Sequence, residues 1–123
     1  MESTTKDKLT DLLKRLKEEG DIDSSAIVTR DGLLLAADLS SDINNEVFAA
    51  MSAAVLGAAE TAMLELSNDN VSGVISEFQE GKLITVGVGS KAILVALVKH
   101  EANLGLILIE MQKTSNGING LIE

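Results

Sequence analysis

Apolar residues recur at two different spacings along the chain, and these spacings predict the order of helices and strands. Between Thr5 and Glu19 the leucines follow each other at helical spacing, at Leu9, Leu12, Leu13 and Leu16. The preceding segment, Thr4-Thr5-Lys6-Asp7, has the form of a capping box, and Gly20 predicts the end of the helix. The next segment, SSAIVTRDGLLLAADL, has two apolar runs around Asp31-Gly32, which is typical of a hairpin with a tight primed turn. The chain therefore begins with one helix and two paired strands.

The middle of the chain predicts a long helix followed by three strands. The helix is expected from about Asn44 to Ser67. The segment VSGVISEFQEGKLITVGVGSKAILVALVKH then predicts three strands, with turns at Glu80-Gly81 and Gly89-Ser90-Lys91.

The last segment, ANLGLILIEMQKTSNGINGLIE, fits two interpretations. Its apolar positions fit a helix with Asn103 as the N-cap, while residues 106–109 alone could form a strand. The length of the pattern favours the helix. Because Gly117 and Gly120 would each cost a helix about 1 kcal/mol, we expect its last turns to fray.

Two of the predicted strands, SAIVT and AILVALV, are apolar on both sides, which indicates that helices cover both faces of the sheet. The predicted fold is a three-layer α/β/α sandwich in a single domain, residues 1–123, with the order α-β-β-α-β-β-β-α. Consecutive hairpins make the sheet antiparallel, so a doubly wound nucleotide-binding sheet is not expected.

The second helix is unusual because residues 49–64 hold one charged side chain, Glu60. At 100° per residue its bulkier side chains share one side, which should pack on the sheet: Phe48, Ser52, Val55, Leu56, Ala59, Met63 and Leu66. The opposite side is small and nearly uncharged, and consists of Ala50, Ala53, Ala54, Gly57, Thr61 and Leu64.

Three different surroundings could cover this bare side of the helix: a second copy of the chain, a membrane, or other parts of the same chain. Small residues allow close approach of a second helix, so a second copy related by a two-fold axis is favoured. A membrane would require about twenty strongly apolar residues, but alanine contributes little and Glu60 would be costly there. Burial within the same chain is limited, since the first and third helices are needed on the other face of the sheet.

Composition narrows the function. The chain has 19 Asp and Glu against 10 Lys and Arg, no Trp or Tyr, and two Phe, which argues against binding to nucleic acid. Without Cys, thiolate metal sites and Cys nucleophiles are excluded. The polar start MESTTKDKLTD has no apolar segment typical of a secretory signal, so we expect a cytoplasmic protein.

From Asp31 to Gly81 the chain carries nine acidic residues and no Lys or Arg. Such runs are more often solvated faces than steering surfaces.

The sequence gives little evidence for a catalytic, phosphate-binding or metal-binding site. His100 stands beside Glu101, but no Ser lies in a nucleophile context. Gly87-Val88-Gly89-Ser90-Lys91 resembles a piece of a phosphate loop, but its spacing and the following strand favour a hairpin turn. The acidic pairs Asp38 with Asp42 and Asp21 with Asp23 lack a calcium-loop pattern. We predict no catalytic, cofactor-binding or metal-binding residue and no enzymatic activity.

Arg30 has one sharper interpretation, because a GTPase activator can insert an arginine to stabilise the transferring phosphate. Its position beside the hairpin turn favours an ordinary exposed arginine.

Several segments in this order resemble the Roadblock (dynein light-chain) domain family, prokaryotic type: SSAIVTRDGLLLAADL, the Ala-rich second helix, GKLITVGVGSKAILVALV and ANLGLILIEM. The resemblance covers nearly the whole chain. It implies a profilin-like fold with a five-stranded antiparallel sheet, the second helix on one face and the first and third on the other. The segment TSNGINGLIE departs from the family, since it is richer in helix breakers than the usual charged third helix.

The resemblance also implies a mode of assembly and a function. Family members dimerise through the second helices and the third strands, here about Val71 to Gln79, which adds Val71, Gly73 and Ile75 to the interface predicted from the bare helix side. Prokaryotic members are non-catalytic platforms associated with Ras-like small GTPases. We therefore predict a homodimeric regulator or scaffold in signalling, with Glu46, Glu60 and Glu65 as a possible partner surface. The alternative is a structural assembly subunit without a GTPase, and a small-ligand sensor finds no supporting polar cluster.

Overall fold

The computed structural model describes residues 3–67 and 69–122. Its eight elements follow the predicted order: α1 (Thr5–Gly20), β1 (Ser24–Thr29), β2 (Leu34–Asp38), α2 (Asn45–Leu66), β3 (Gly73–Phe78), β4 (Gly81–Val88), β5 (Ala92–Lys99) and α3 (Leu104–Ile122).

The five strands form one sheet in the order β2-β1-β5-β4-β3, and all neighbouring strands are antiparallel. Helix α2 packs on one face of the sheet, and α1 and α3 pack on the other. Strands β1 and β5 are buried along nearly their whole length because they lie inside the sheet, between helices on both faces. The predicted three-layer antiparallel sandwich is confirmed.

The sheet separates two apolar cores. The larger core lies under α1 and α3, where Leu13 and Ile118 meet Ile27 and Ile84 of the sheet. The smaller core lies under α2 and contains Ala26, Val28, Ala49, Leu56, Ile93 and Val95. The α2 side therefore relies on fewer and smaller side chains.

Helix α1 begins as predicted but ends one residue later. The hydroxyl of Thr4 accepts a hydrogen bond from the amide of Asp7 (3.1 Å), and the Asp7 carboxylate accepts one from the amide of Thr4 (3.3 Å), which completes the capping box. Gly20 is the last helical residue, and Asp21 takes the left-handed conformation that ends the helix (φ 56°). Gly20 is buried, and a Cβ there would lie 3.5 Å from Cβ of Glu110, so α1 approaches α3 closely at this point.

The prediction that α3 frays is wrong, because the helix continues to Ile122. The side chain of Asn103 accepts a hydrogen bond from the amide of Leu106 (3.1 Å), as expected of the N-cap. Gly117 faces α1, where a Cβ would lie 3.2 Å from Cδ2 of Leu12. The glycine gives room for Leu12, and the neighbouring Ile118 is fully buried. Packing between the two helices offsets the poor helix propensity of Gly117.

The connection between β1 and β2 differs from the primed turn that was predicted. It spans residues 30–33, and within it Gly32 has a positive φ (90°) whereas Asp31 does not. The amide of Gly32 donates to the carbonyl of Thr29 (3.0 Å), and the amide of Leu33 donates to the Thr29 hydroxyl (3.0 Å). The connection packs on α2, since a Cβ at Gly32 would lie 3.1 Å from Cα of Ala50.

Candidate interaction site on the second helix

Helix α2 packs on the sheet largely through the predicted side, because two of its three buried residues, Ser52 and Leu56, were expected there. Its buried residues are Ala49, Ser52 and Leu56, and Leu66, which was expected on the sheet side, is 77% exposed. Phe48, Val55, Ala59 and Met63 are half-buried. The prediction wrongly included Leu66 and missed Ala49, because alanines surround the helix and the pattern did not point sharply to one side.

The side of α2 that faces solvent is apolar and larger than predicted. Val47 and Met51 are each 57% exposed, although their side chains are large and apolar. We define the outer face of α2 by the following exposed residues: Val47, Ala50, Met51, Ala54, Ala58, Thr61, Ala62 and Leu64. The sequence interpretation missed Val47, Met51, Ala58 and Ala62. Apolar exposure of this extent on a helix typically marks an interaction site.

The predicted interface residues of α2 divide into two groups. Ala50, Ala54, Thr61 and Leu64 are exposed, whereas Ala53 and Gly57 are half-buried at the margin of the outer face. A Cβ at Gly57 would meet nothing within 4 Å, so this margin is open in the single chain. Ala53 and Gly57, which were predicted on this face, thus lie at its edge.

Strand β3 forms one edge of the sheet and is shorter than predicted, since Val71 precedes it. Among the described residues, β3 pairs with β4 only, so its outer backbone groups face away from the sheet. Val71 and Gly73 are half-buried, and Ile75 is 43% exposed. Gly73 and Ile75 line a groove of about 460 Å³ that also reaches Leu108 and Met111 of α3.

The side chain of Arg30 is held inside the fold, which corrects its interpretation as an ordinary exposed arginine. Its Nη1 atom lies 2.7 Å and 2.8 Å from the two carboxylate oxygens of Glu60, and its Nη2 atom donates to the carbonyl of Gly89 (2.9 Å). The Arg30 and Glu60 side chains are 27% and 38% exposed. Because these bonds hold the guanidinium within the fold, they argue against the interpretation that Arg30 is inserted into a GTPase.

Two glycines of the segment that resembled a phosphate loop make room for this ion pair. Gly87 lies on β4 beneath the guanidinium, where a Cβ would be 2.7 Å from Nη2 of Arg30. Gly89 has a positive φ (57°) in the turn between β4 and β5 and offers its carbonyl to Arg30. The predicted hairpin turn is confirmed, and its glycines are explained by turn geometry and by Arg30.

The matching family model is the Roadblock/LC7 domain, which aligns with residues 8–98. The chain belongs to the Roadblock/LC7 domain family. The uncharacterized protein MJ0310 of Methanocaldococcus jannaschii is 36% identical over 110 residues, which cover 89% of this chain and 95% of that protein.

Solved structures agree on the fold of this Roadblock/LC7 chain. MglB of Myxococcus xanthus has a TM-score of 0.89 at 19% identity, and the match covers 100% of this chain and 96% of MglB. Profilin IB of Acanthamoeba castellanii has a TM-score of 0.67 at 17% identity, with 91% and 97% of the two chains covered. The profilin-like architecture that the resemblance implied is therefore confirmed.

The acidic residues proposed as a partner surface of the Roadblock/LC7 chain do not share one environment. Glu46 and Glu65 are exposed near the two ends of α2. Glu60 is paired with Arg30, and its side chain is 38% exposed, so its role on a partner surface stays a prediction. The unpaired acidic rim among these three residues consists of Glu46 and Glu65.

The structure also bears on membrane insertion and on metal binding. By length and composition α2 could cross a membrane, but in this fold it packs on the sheet and carries the Arg30 ion pair. Within residues 3–67 and 69–122, no three His, Asp or Glu side chains converge as metal ligands do. The Ser40 hydroxyl donates to the Asp42 carboxylate, and this bond, with one from the Asp42 backbone, lowers the pKa of Asp42. His100 is exposed.

Proposed function

We propose that this Roadblock/LC7 chain is a non-catalytic, cytoplasmic homodimer that regulates or scaffolds a Ras-like small GTPase. The observation that carries the proposal is the apolar outer face of α2 beside an open sheet edge at β3. Both features are costly on an isolated chain, because apolar area stays in contact with water and strand edges invite further pairing.

Self-association through both features would relieve both costs. Pairing of β3 with β3 of a second copy gives partners to the outer backbone groups and extends the sheet across a two-fold axis. The same axis brings the two α2 helices side by side on one face of the extended sheet. Alanines at positions 54 and 58 allow the helix backbones to approach closely, and Met51 and Val47 supply apolar area around them.

The paired helices would then form the platform for the GTPase. Glu46 and Glu65 flank the outer face, and the segment from Asp31 to Gly81 contributes no Lys or Arg. A dimer doubles this negative charge, which favours a partner surface with apolar residues inside a rim of Lys and Arg. Such electrostatic steering acts mainly on the association rate and weakens as salt is raised.

The test is a titration of the small GTPase with a phosphate-loop signature that is encoded nearest to this gene. Its GDP form and its form with a non-hydrolysable GTP analogue are each titrated with the chain. We expect binding to differ between the two forms and to weaken in the variant with Glu46→Lys and Glu65→Lys. A matched control with Glu18→Lys and Glu19→Lys, exposed on α1, should bind as the wild type does. No binding of either form would favour the structural-subunit alternative.

A further inference from the structure

Full burial is limited to the first part of α2, while Gly57, Ala59 and Met63 in its later part are half-buried. The buried residues of the helix end at Leu56, and no residue of the segment 57–66 is buried. Before that point, Ala49 and Ser52 are small and provide little interlocking with the strands. The last ten residues of α2 thus have no buried apolar anchor, although Ala58, Thr61 and Ala62 of the outer face belong to them.

The ion pair between Arg30 and Glu60 lies in this weakly packed segment. Glu60 follows Leu56 by one helical turn, so both lie on the side of α2 that faces the sheet. Among the described residues, this pair is the only side-chain hydrogen bond or ion pair that joins α2 to the sheet. The hydroxyls of Ser52 and Thr61 donate to carbonyls within the helix itself.

Arg30 connects three elements through this pair. Its backbone follows β1, its Nη2 atom donates to Gly89 in the turn between β4 and β5, and its Nη1 atom holds Glu60. A cavity of about 570 Å³ beside the pair is also lined by Asn70 and Val71, which connect α2 to β3. The position of Glu60 therefore bears on both the end of α2 and the entry into the edge strand.

We infer that Arg30 and Glu60 are positioning residues, a polar latch that fixes the last ten residues of α2 and so sets the outer face and the start of β3 for self-association. The inference rests on the proposed function for its consequence in the dimer. The geometry behind it is a property of the single chain. Gly87 belongs to the latch because any side chain at that position would displace the guanidinium.

The test uses the full chain with Arg30→Gln, Glu60→Gln, and the exchanged pair Arg30→Glu with Glu60→Arg. Gly87→Ala is the geometric variant, because it keeps both charges but crowds Nη2 of Arg30. Dimer dissociation is measured by sedimentation at several concentrations. Amide hydrogen exchange is compared between residues 45–56 and residues 57–66. Urea unfolding shows how much of any effect is global.

In each of the single variants Arg30→Gln, Glu60→Gln and Gly87→Ala, we expect the dimer dissociation constant to rise about tenfold. Amide hydrogen exchange should accelerate about tenfold in residues 57–66 and change little in residues 45–56. The exchanged pair should recover only part of both losses, because it restores the charge pair but not the hydrogen bond from position 30 to the carbonyl of Gly89. A purely global loss of stability would accelerate both segments together and would overturn the inference. Single variants that leave exchange in 57–66 unchanged would also overturn it.

The exchange experiment also separates this inference from the proposed dimer. If the wild type were monomeric at all concentrations, the proposed assembly would fail. Selective acceleration in 57–66 of the monomeric variants would still support the latch, and its absence would reject it.

Discussion

Two glycines in the last turns of α3 give opposite predictions when each is replaced by alanine. A Cβ at Gly120 would meet nothing within 4 Å, whereas a Cβ at Gly117 would lie 3.2 Å and 3.3 Å from the two Cδ atoms of Leu12. Glycine in a helix interior costs about 0.5–1 kcal/mol relative to alanine. Since Gly120 lies near the helix end, Gly120→Ala should stabilise the fold by about 0.5 kcal/mol.

Gly117→Ala gains the same propensity but must displace Leu12, which packs against the larger core. Extra atoms forced into a packed interface cost about 1–3 kcal/mol. The net effect of Gly117→Ala should therefore be destabilising by about 0.5–2.5 kcal/mol, opposite in sign to that of Gly120→Ala.

The assay is urea unfolding followed by far-UV circular dichroism, because the chain contains no Trp or Tyr for fluorescence. All variants are compared at one protein concentration, so that any self-association contributes equally. The reasoning is refuted if Gly117→Ala stabilises the protein as much as Gly120→Ala does, because Leu12 would then not be in close contact. It is also refuted if Gly120→Ala destabilises the protein.

Three further changes test other parts of the structure. Leu56→Ala removes the one large buried side chain of α2 and should cost about 2–5 kcal/mol in urea unfolding, whereas Leu66→Ala, at an exposed site, should cost less than about 0.5 kcal/mol. Ser40→Ala removes the hydroxyl that lowers the pKa of Asp42, so the pKa of Asp42 should rise toward its ordinary value in an NMR titration, and an unchanged value would contradict that cause. Purified chain mixed with neutral lipid vesicles should remain at the bottom of a flotation gradient, because α2 is folded against its sheet, and flotation with the vesicles would favour membrane insertion.

The element order was predictable because most of the apolar spacings are strong. The leucines of α1, the two-sided strands β1 and β5, and the Gly89 turn each indicate one structure by local rules. The cap residues Thr4 and Asn103 set the starts of two helices correctly, because capping depends on hydrogen bonds within a few residues.

The rotation of α2 about its own axis was harder to predict than the order of the elements. An alanine-rich helix presents similar residues on every side, so the prediction found Ser52 and Leu56 on the sheet side but wrongly added Leu66 and missed Ala49. The prediction that α3 frays near Gly117 was wrong for a related reason. Helix propensity is a local property, but the contact with Leu12 comes from a distant part of the chain.

The ion pair of Arg30 and Glu60 shows the same limit in the site itself. The two residues are thirty positions apart, and no local pattern links a turn arginine to the middle of a helix. One signal was present in the sequence, because Glu60 is the single charge in residues 49–64 and Arg30 is the last basic residue before a long acidic run. An isolated charge on an apolar helix indicates a specific partner, and the partner here lies within the same chain.

Light scattering on the purified chain at tens of micromolar, with a variant in the outer face of α2, is the sharpest test of self-association through this face. We expect a dimer for the wild type, a folded monomer for Ala54→Arg, and a dimer for the control Asn116→Arg, which places the same charge at an exposed position of α3. Folding of each variant is checked by circular dichroism. A monomeric wild type, or an Ala54→Arg variant that remains dimeric, would contradict assembly through this face.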